Sequence, residues 1–239
     1  MQNFLNSLVF GVYPYVALAV LIVGTIVRYD REPYTWRSGS SQLLRRRQLI
    51  WGSVLFHLGV LMIFAGHVVG LLTPIALFDA LGVSHGAKQM LAIVAGGIAG
   101  AMGIVGATLL VHRRLLDARA RAPSSTSDTL IIILLWIQLA LGLLTIPVSM
   151  QHLDGHEMVK FMNWAQGIFT FDPEASGHVA DAAPIFKLHL FLGLTILLVF
   201  PFTRLVHMLS APVRYLWRPG YQVVRQKPSR AASVRLPAE

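Results

Sequence analysis

Nine histidines stand in this sequence, and four of them, His57, His67, His189 and His207, fall inside long apolar segments. Ionisable side chains at such positions are rare and tend to carry function. Two lie in one segment and two in another, so they make pairs rather than a single cluster. Imidazole is the usual protein ligand of b-type haem iron, and two pairs make two bis-histidine haems. Other chemistries find little support. There is no cysteine, which excludes iron–sulfur ligation, thiolate zinc and any disulfide within the chain. There is no HExxH zinc motif, and no nucleotide-binding glycine loop in a strand–helix setting.

The elements that must position these histidines are membrane helices. Of 239 residues, 55% are hydrophobic and only 13% charged, against about 25% charged in an ordinary soluble domain. That excludes a soluble globular enzyme and a disordered chain. Five apolar spans are read at residues 4–27, 49–72, 89–111, 129–148 and 184–209. Irregular backbone is too costly in lipid, so each is expected to be a helix. The first span lacks the basic start and small-residue cleavage site of a signal peptide. The fold class is therefore all-α, an integral membrane bundle of five transmembrane helices. It would form one membrane domain over residues 1–225, followed by a disordered tail over residues 226–239.

Charge placement orients the bundle. Of the 20 Lys and Arg residues, all but Lys88, Lys160 and Lys187 fall on one side, including Arg28, Arg31, Arg37, Arg45, Arg46, Arg47, Arg113 and Arg114. The positive-inside rule puts that side in the cytoplasm, with the N-terminus outside and the C-terminus inside. Span two then runs outward and span five inward. Only His67 with His189, near the outer face, and His57 with His207, near the inner face, can share a haem.

On a continuous helix, His189 and His207 would be about 27 Å apart along one face. His57 and His67 would be about 15 Å apart, on faces turned by about 80°. Each iron sits between its two ligands, so an iron–iron distance of about 20 Å is expected, with Pro201 available to kink span five. Gly66, Gly70 and Gly193 lie near the outer ligands, where a flat macrocycle needs close backbone approach. They serve ordinary helix packing equally well, as do Gly96, Gly100 and their neighbours in span three. Candidate partners for haem propionates are Lys187 and Lys88 outside, and Arg204, His112 and Arg113 inside.

The sequence resembles the gamma subunit of respiratory nitrate reductase, a dihaem cytochrome b that anchors its complex. The resemblance is carried by YPYVALAV and VRYDREPYTWRSGSSQ (within Tyr13 to Gln42), LFHLGVLMIFAGHVVGLLTP (Leu55 to Pro74) and KQMLAIVAGG (Lys88 to Gly97). It continues in QLALGLLTIPVSMQHLDGHEMVKFMNWAQ (Gln138 to Gln166), KLHLFLGLTILLVFPFTRLVH (Lys187 to His207) and PVRYLWR (Pro212 to Arg218). It implies iron ligation by His67 and His189 at the outer haem b and by His57 and His207 at the inner one. It also implies a quinol site beside the outer haem, with Lys88 and Gly66 as its catalytic residues. Lys88 would stabilise a developing quinolate oxygen. Menaquinol or ubiquinol would give up electrons one at a time and its protons outside. The electrons would cross both haems to an iron–sulfur beta subunit, and then reach a molybdenum alpha subunit that reduces nitrate in anaerobic respiration. The chain would then lie in the bacterial cytoplasmic (inner) membrane, as the quinol-oxidising subunit of an oxidoreductase. No nucleic-acid partner is implied.

Two departures from the family pattern stand out, the SHGA before Lys88 and the length of the tail beyond Arg225. The loop histidines His85, His152, His156 and His178 read either as surface residues or as proton acceptors near the quinol. Three other functions compete. They are a dihaem anchor of another quinone-linked reductase (sulfur-metabolism or heterodisulfide reductase-like), a haem-free transporter with a histidine proton relay, and a purely structural anchor. No internal repeat favours the transporter, and a structural anchor leaves four intramembrane histidines unexplained.

Overall fold

The computed structural model describes residues 2–36, 46–121 and 125–210. Arg37, Arg45, the Pro212–Arg218 motif and the expected tail at residues 226–239 lie outside the described residues. In chain order the α-helices are α1 (Gln2–Ser7), α2 (Tyr13–Arg31), α3 (Arg46–Leu72), α4 (Ile75–Ala80), α5 (His85–Leu116), α6 (Ala118–Arg121), α7 (Thr126–Ser149), α8 (His156–Thr170) and α9 (Pro184–Val199). No strand occurs among the described residues. Five segments are long and apolar enough to cross a bilayer: Phe4–Arg31, Arg46–Leu72, His85–Leu116, Thr126–Ser149 and Pro184–Phe202.

Local chemistry moves three boundaries from their expected places. α5 starts at His85 rather than at residue 89, because the Ser84 hydroxyl accepts from the Ala87 amide at 3.2 Å and caps the helix there. α7 starts at Thr126 rather than at residue 129, because the Ser125 hydroxyl accepts from the Asp128 amide at 3.1 Å and caps the helix there, and it holds Pro147 in its last turn. The last span does not run as one α-helix to residue 209. It breaks after Val199 into 3-10 turns at Phe200–Phe202 and Arg204–Ser210. Pro201 has no amide hydrogen to continue the ladder. The carbonyls of Pro201 and Thr203 instead accept from Arg28 Nη1 at 2.6 and 2.7 Å. His207 therefore sits on a 3-10 segment, which rises at about 2.0 Å per residue. The one-face relation with His189, drawn from an unbroken α-helix, no longer follows.

Small residues set the closest helix pair. A Cβ on Gly59 of α3 would lie 2.5 Å from the Gly103 amide nitrogen and 2.6 Å from the Ala99 carbonyl oxygen of α5. Gly106 meets the backbone of Phe56 and Gly52 in the same way. The expected Gly96–Gly100 pair is not the one used here. Gly96 has nothing within 4 Å of its Cβ position, and Gly100 packs on Leu143 of α7. The main packed pairs among the spans are α3 with α5, α5 with α7, α7 with α9, and α9 with α2. α3 and α9 thus stand apart in this row, with α5 and α7 between them.

The amphipathic helix α8 closes one end of the bundle. Gln166 donates to the carbonyls of Leu71 and Thr73, both at 3.0 Å, where α3 ends. The buried Trp164 indole donates to the Phe10 carbonyl at 2.8 Å, inside the π-helical turn Leu8–Val12 that joins α1 to α2. Lys160 donates to Glu157 and Asp181, each at 2.8 Å. The Asp181 bond, with Glu157 next, raises the Lys160 ammonium above its usual range, and Lys160 in turn holds the Asp181 carboxyl below its own.

Candidate functional site

Although α3 and α9 are separated in the row, their histidines meet. The ring centres of His67 and His189 are 6.2 Å apart, and those of His57 and His207 are 6.3 Å apart. These are the pairs expected from the directions of the two spans. A metal–imidazole bond is about 2.0–2.1 Å long and the ring centre lies about 1 Å behind the nitrogen. Imidazoles on opposite sides of one metal ion therefore have centres about 6 Å apart. Both pairs match this spacing. No cluster of three or more metal-binding side chains exists among the described residues, so two ligands per ion is the arrangement on offer.

The protonation pattern agrees. His57 Nδ1 lies 2.7 Å from the Ser53 carbonyl oxygen, His67 Nδ1 2.8 Å from that of Ile63, and His207 Nδ1 2.6 Å from that of Arg204. A carbonyl only accepts, so each Nδ1 holds a hydrogen and donates. Nε2 keeps its lone pair, the state required of a metal ligand. His189 differs. Its Nδ1 is enclosed without a hydrogen-bond partner, and its Nε2 is 3.4 Å from the Gln138 amide nitrogen. Its ring lies against α7 where residue 142 is glycine, and a Cβ there would come within 3.1 Å. By spacing all four residues, and by donor chemistry His57, His67 and His207, fit two bis-histidine haems. A Cβ on Gly66 or Gly70 would meet no atom within 4 Å, so there is free space beside His67. Gly193 instead makes room for Gln138, whose Nε2 lies 3.2 Å from the Cβ position.

Lys88 lies in the first turn of α5 and is only 6% exposed. Its Nζ is enclosed with no hydrogen-bond partner and sits 4.5 Å from the centre of the Phe78 ring of α4. The register of α3 on α5 locates it relative to the histidines. With Gly59 between Ala99 and Gly103, the antiparallel pair brings Lys88 level with Leu72, about 7.5 Å beyond His67 along the axis. An enclosed cationic head without an acceptor carries a large desolvation cost. An anionic or carbonyl oxygen from a ligand would offset it.

The candidate propionate partners divide. Lys187 donates to the Ala180 carbonyl at 2.6 Å, which makes it a cap on the loop before α9. Arg204 lies 3.5 Å from Asp128, which also faces Arg114 at 3.9 Å. His112 Nδ1 accepts from Gln48 at 3.1 Å, and Arg113 is buried. All these arginines cluster at the His57–His207 end. Of the loop histidines, His152 Nδ1 lies 3.2 Å from the Val148 carbonyl, His156 is 3.8 Å from Asp154, and His178 lies in a 3-10 turn. His85 is inside α5 rather than in a loop.

Three residues of the site escaped the sequence reading. Gln138 was signalled as the lone amide side chain of span four. Phe78, which faces Lys88, and Asp79, 3.8 Å from His85 Nε2, carried no signal, since both lie on α4, which folds back over α5.

Known proteins resemble this chain over most of its length. A family model described as nitrate reductase gamma subunit matches residues 6–227. The respiratory nitrate reductase 1 gamma chain of Escherichia coli (strain K12) is 50% identical over 95% of this chain and its own entire length. The respiratory nitrate reductase 2 gamma chain of the same organism is 47% identical over the same shares. The nitrate reductase gamma chain of Bacillus subtilis (strain 168) is 36% identical over 93% of this chain and 99% of its own. With five membrane-competent helices and identity of this extent, the chain is a member of the nitrate reductase gamma-subunit family, a multi-pass membrane subunit of an oxidoreductase complex with alpha and beta partners.

Proposed function

We propose that the chain is the dihaem cytochrome b of its complex, and that it oxidises quinol beside the His67–His189 pair and passes the electrons toward the His57–His207 end. The observation that carries the reading is the two pairs of facing imidazoles, His67 with His189 at 6.2 Å and His57 with His207 at 6.3 Å. When bound, each b haem supplies a one-electron iron couple held between two imidazoles. The chain's own residues do the rest. The carbonyls of Ser53, Ile63 and Arg204 fix three rings in the ligating tautomer. The enclosed Lys88 Nζ offers the quinol oxygen a charge-assisted hydrogen bond, which strengthens as that oxygen loses its proton. Gly66 leaves the space beside His67 open.

Sidedness follows from the arginines. The His57–His207 end carries Arg28, Arg46, Arg47, Arg113, Arg114 and Arg204, and the positive-inside rule makes it the cytoplasmic end. The iron–sulfur beta subunit would dock there, with the molybdenum alpha subunit beyond it, and quinol would be oxidised at the opposite face.

The test is a pyridine haemochrome assay with a redox titration on the purified complex, followed by quinol turnover. Two b haems attributable to this chain are expected, one of which is lost in His67→Ala. Lys88→Ala is expected to keep both haems and lower quinol oxidation by about 10²-fold. A folded chain without haem would overturn the electron-transfer reading in favour of a histidine proton relay. Unchanged quinol turnover in Lys88→Ala would remove the quinol site from this position.

A further inference from the structure

Quinol oxidation releases two protons, and Lys88, an ammonium that donates, cannot take them. The three histidines whose Nδ1 atoms face backbone carbonyls are equally unavailable. One base stands beside Lys88. His85 opens α5 one turn before it, on the same face by the i, i+3 relation, where side chains are neighbours about 5–6 Å apart at Cβ. The two residues meet consecutive residues of α4. Lys88 lies over Phe78, and His85 Nε2 is 3.8 Å from Asp79 Oδ1. His85 Nδ1, like Lys88 Nζ, is enclosed and has no hydrogen-bond partner. The site thus presents two orphaned polar atoms on successive turns, one a donor and one able to accept. Meanwhile 41% of the His85 side chain remains open to solvent.

We propose that His85, oriented by Asp79, is the proton acceptor for quinol bound at Lys88. The proposal rests on the reading of Lys88 as the quinol-binding residue. An Nε2–H facing the Asp79 carboxylate leaves the lone pair on Nδ1. A quinol O–H bond breaks and an N–H bond forms at Nδ1. The electrons would leave one at a time, each to the one-electron iron couple that His67 and His189 would hold. The imidazolium then gives up the Nε2 proton, by way of Asp79 and water, on the exposed side. Proton exchange with that water returns the neutral ring to its Nε2–H tautomer, after which Nδ1 takes the second proton and quinone is left.

Backbone packing holds the acceptor in place. The turn between α7 and α8 presses on it, with a Cβ on Gly155 only 2.5 Å from the His85 carbonyl group and one on Gly86 2.9 Å from the Leu153 carbonyl oxygen. Gly155 takes a left-handed φ of 83°, which permits that approach. The charged and titratable groups around His85 are Asp79 on α4, Lys88 on α5, and His152, Asp154 and His156 on that turn. Of these, Asp154 is 3.8 Å from His156, and Asp79 faces His85 itself.

The experiment uses the whole complex in membrane vesicles with a short-chain quinol, and follows kcat and KM from pH 5 to 9 with haem spectra recorded on each variant. Wild type is expected to lose rate on the acidic limb of its pH profile, since only the neutral ring accepts a proton. His85→Asn is expected to lower kcat by about 10²-fold and to abolish that acidic limb, with KM and both haem spectra unchanged. His85→Ala, the second variant, is expected to recover rate on addition of imidazole. Asp79→Asn should lower kcat in the same direction and leave KM alone. Wild-type kcat and pH profile in either His85 variant, alongside a Lys88→Ala variant that has lost turnover, overturns the proposal and leaves the quinol site standing. Wild-type turnover in Lys88→Ala overturns both.

Discussion

At the scale of single residues, the four histidines are not equivalent. Three bind a carbonyl of their own chain through Nδ1, while His189 leans on α7, where Gln138 donates to its backbone carbonyl at 3.1 Å. The Gln138 Nε2–H groups present the positive end of the amide dipole to this ring, which disfavours the extra charge of a ferric iron. Gln138→Leu is therefore expected to lower the midpoint potential of the haem at His67–His189. A hydrogen bond of about 1 kcal/mol corresponds to about 40 mV for a one-electron couple. Potentiometric titration followed by EPR would check it, with the His57–His207 haem unmoved and haem content intact. The four ligand candidates were legible in the sequence because an imidazole in an apolar run is conspicuous by type alone. Gln138, Phe78 and Asp79 were not, because each matters only through a neighbour brought up from another helix.

At the scale of elements, hydropathy made the five spans legible, since a bilayer demands about 20 apolar residues of any helix that crosses it. It missed the start of α5, because Ser84, His85 and Lys88 are polar and the cap is a local hydrogen bond. It also ran span five too far, since Leu205 and Val206 are as apolar in a 3-10 turn as in an α-helix. Packing partners were illegible too. Glycines at 96 and 100 have the better-known spacing, yet α3 and α5 close on Gly59, Gly103 and Gly106. Gly59→Val is expected to force these helices apart at a cost of about 1–3 kcal/mol. It would lower the thermal unfolding temperature of the purified complex and the yield of both haems, whereas Gly96→Val, facing open space, is expected to change neither.

At the scale of the whole molecule, the end that carries Lys88 is held by loops and α8 rather than by long helices, and ion pairs contribute to it. Lys160 joins α8 to the segment before α9 through Asp181. Because Asp181 titrates below its usual range, its contribution is present above the ordinary carboxylate pKa near 3.9 and is lost as pH falls through the lower folded value. Because Lys160 titrates above its usual range, its contribution is present below about 10.4 and is lost as pH rises through the higher folded value. Asp181→Asn is therefore expected to raise hydrogen exchange over residues 175–183 at neutral pH. The difference from wild type should shrink under acid and in high salt, since the pair is partly exposed and screened. That Arg28, Arg114 and Arg204 share one end was legible from the sequence, because the alternating direction of the spans is written in the chain order. The closure of this end was not, since it depends on which carbonyls Gln166 and Trp164 reach.

The separation of α3 from α9 bears on how the molecule is made. The second span enters the membrane early with His57 and His67, but their facing rings arrive only with the last described span. Until His189 and His207 have left the ribosome, neither pair exists. On the dihaem reading, cofactor capture is thus the closing event of synthesis rather than a nucleus for it. A chain stalled or cut before α9 would be inserted in the membrane yet colourless, and recognisable as unfinished by its open slot.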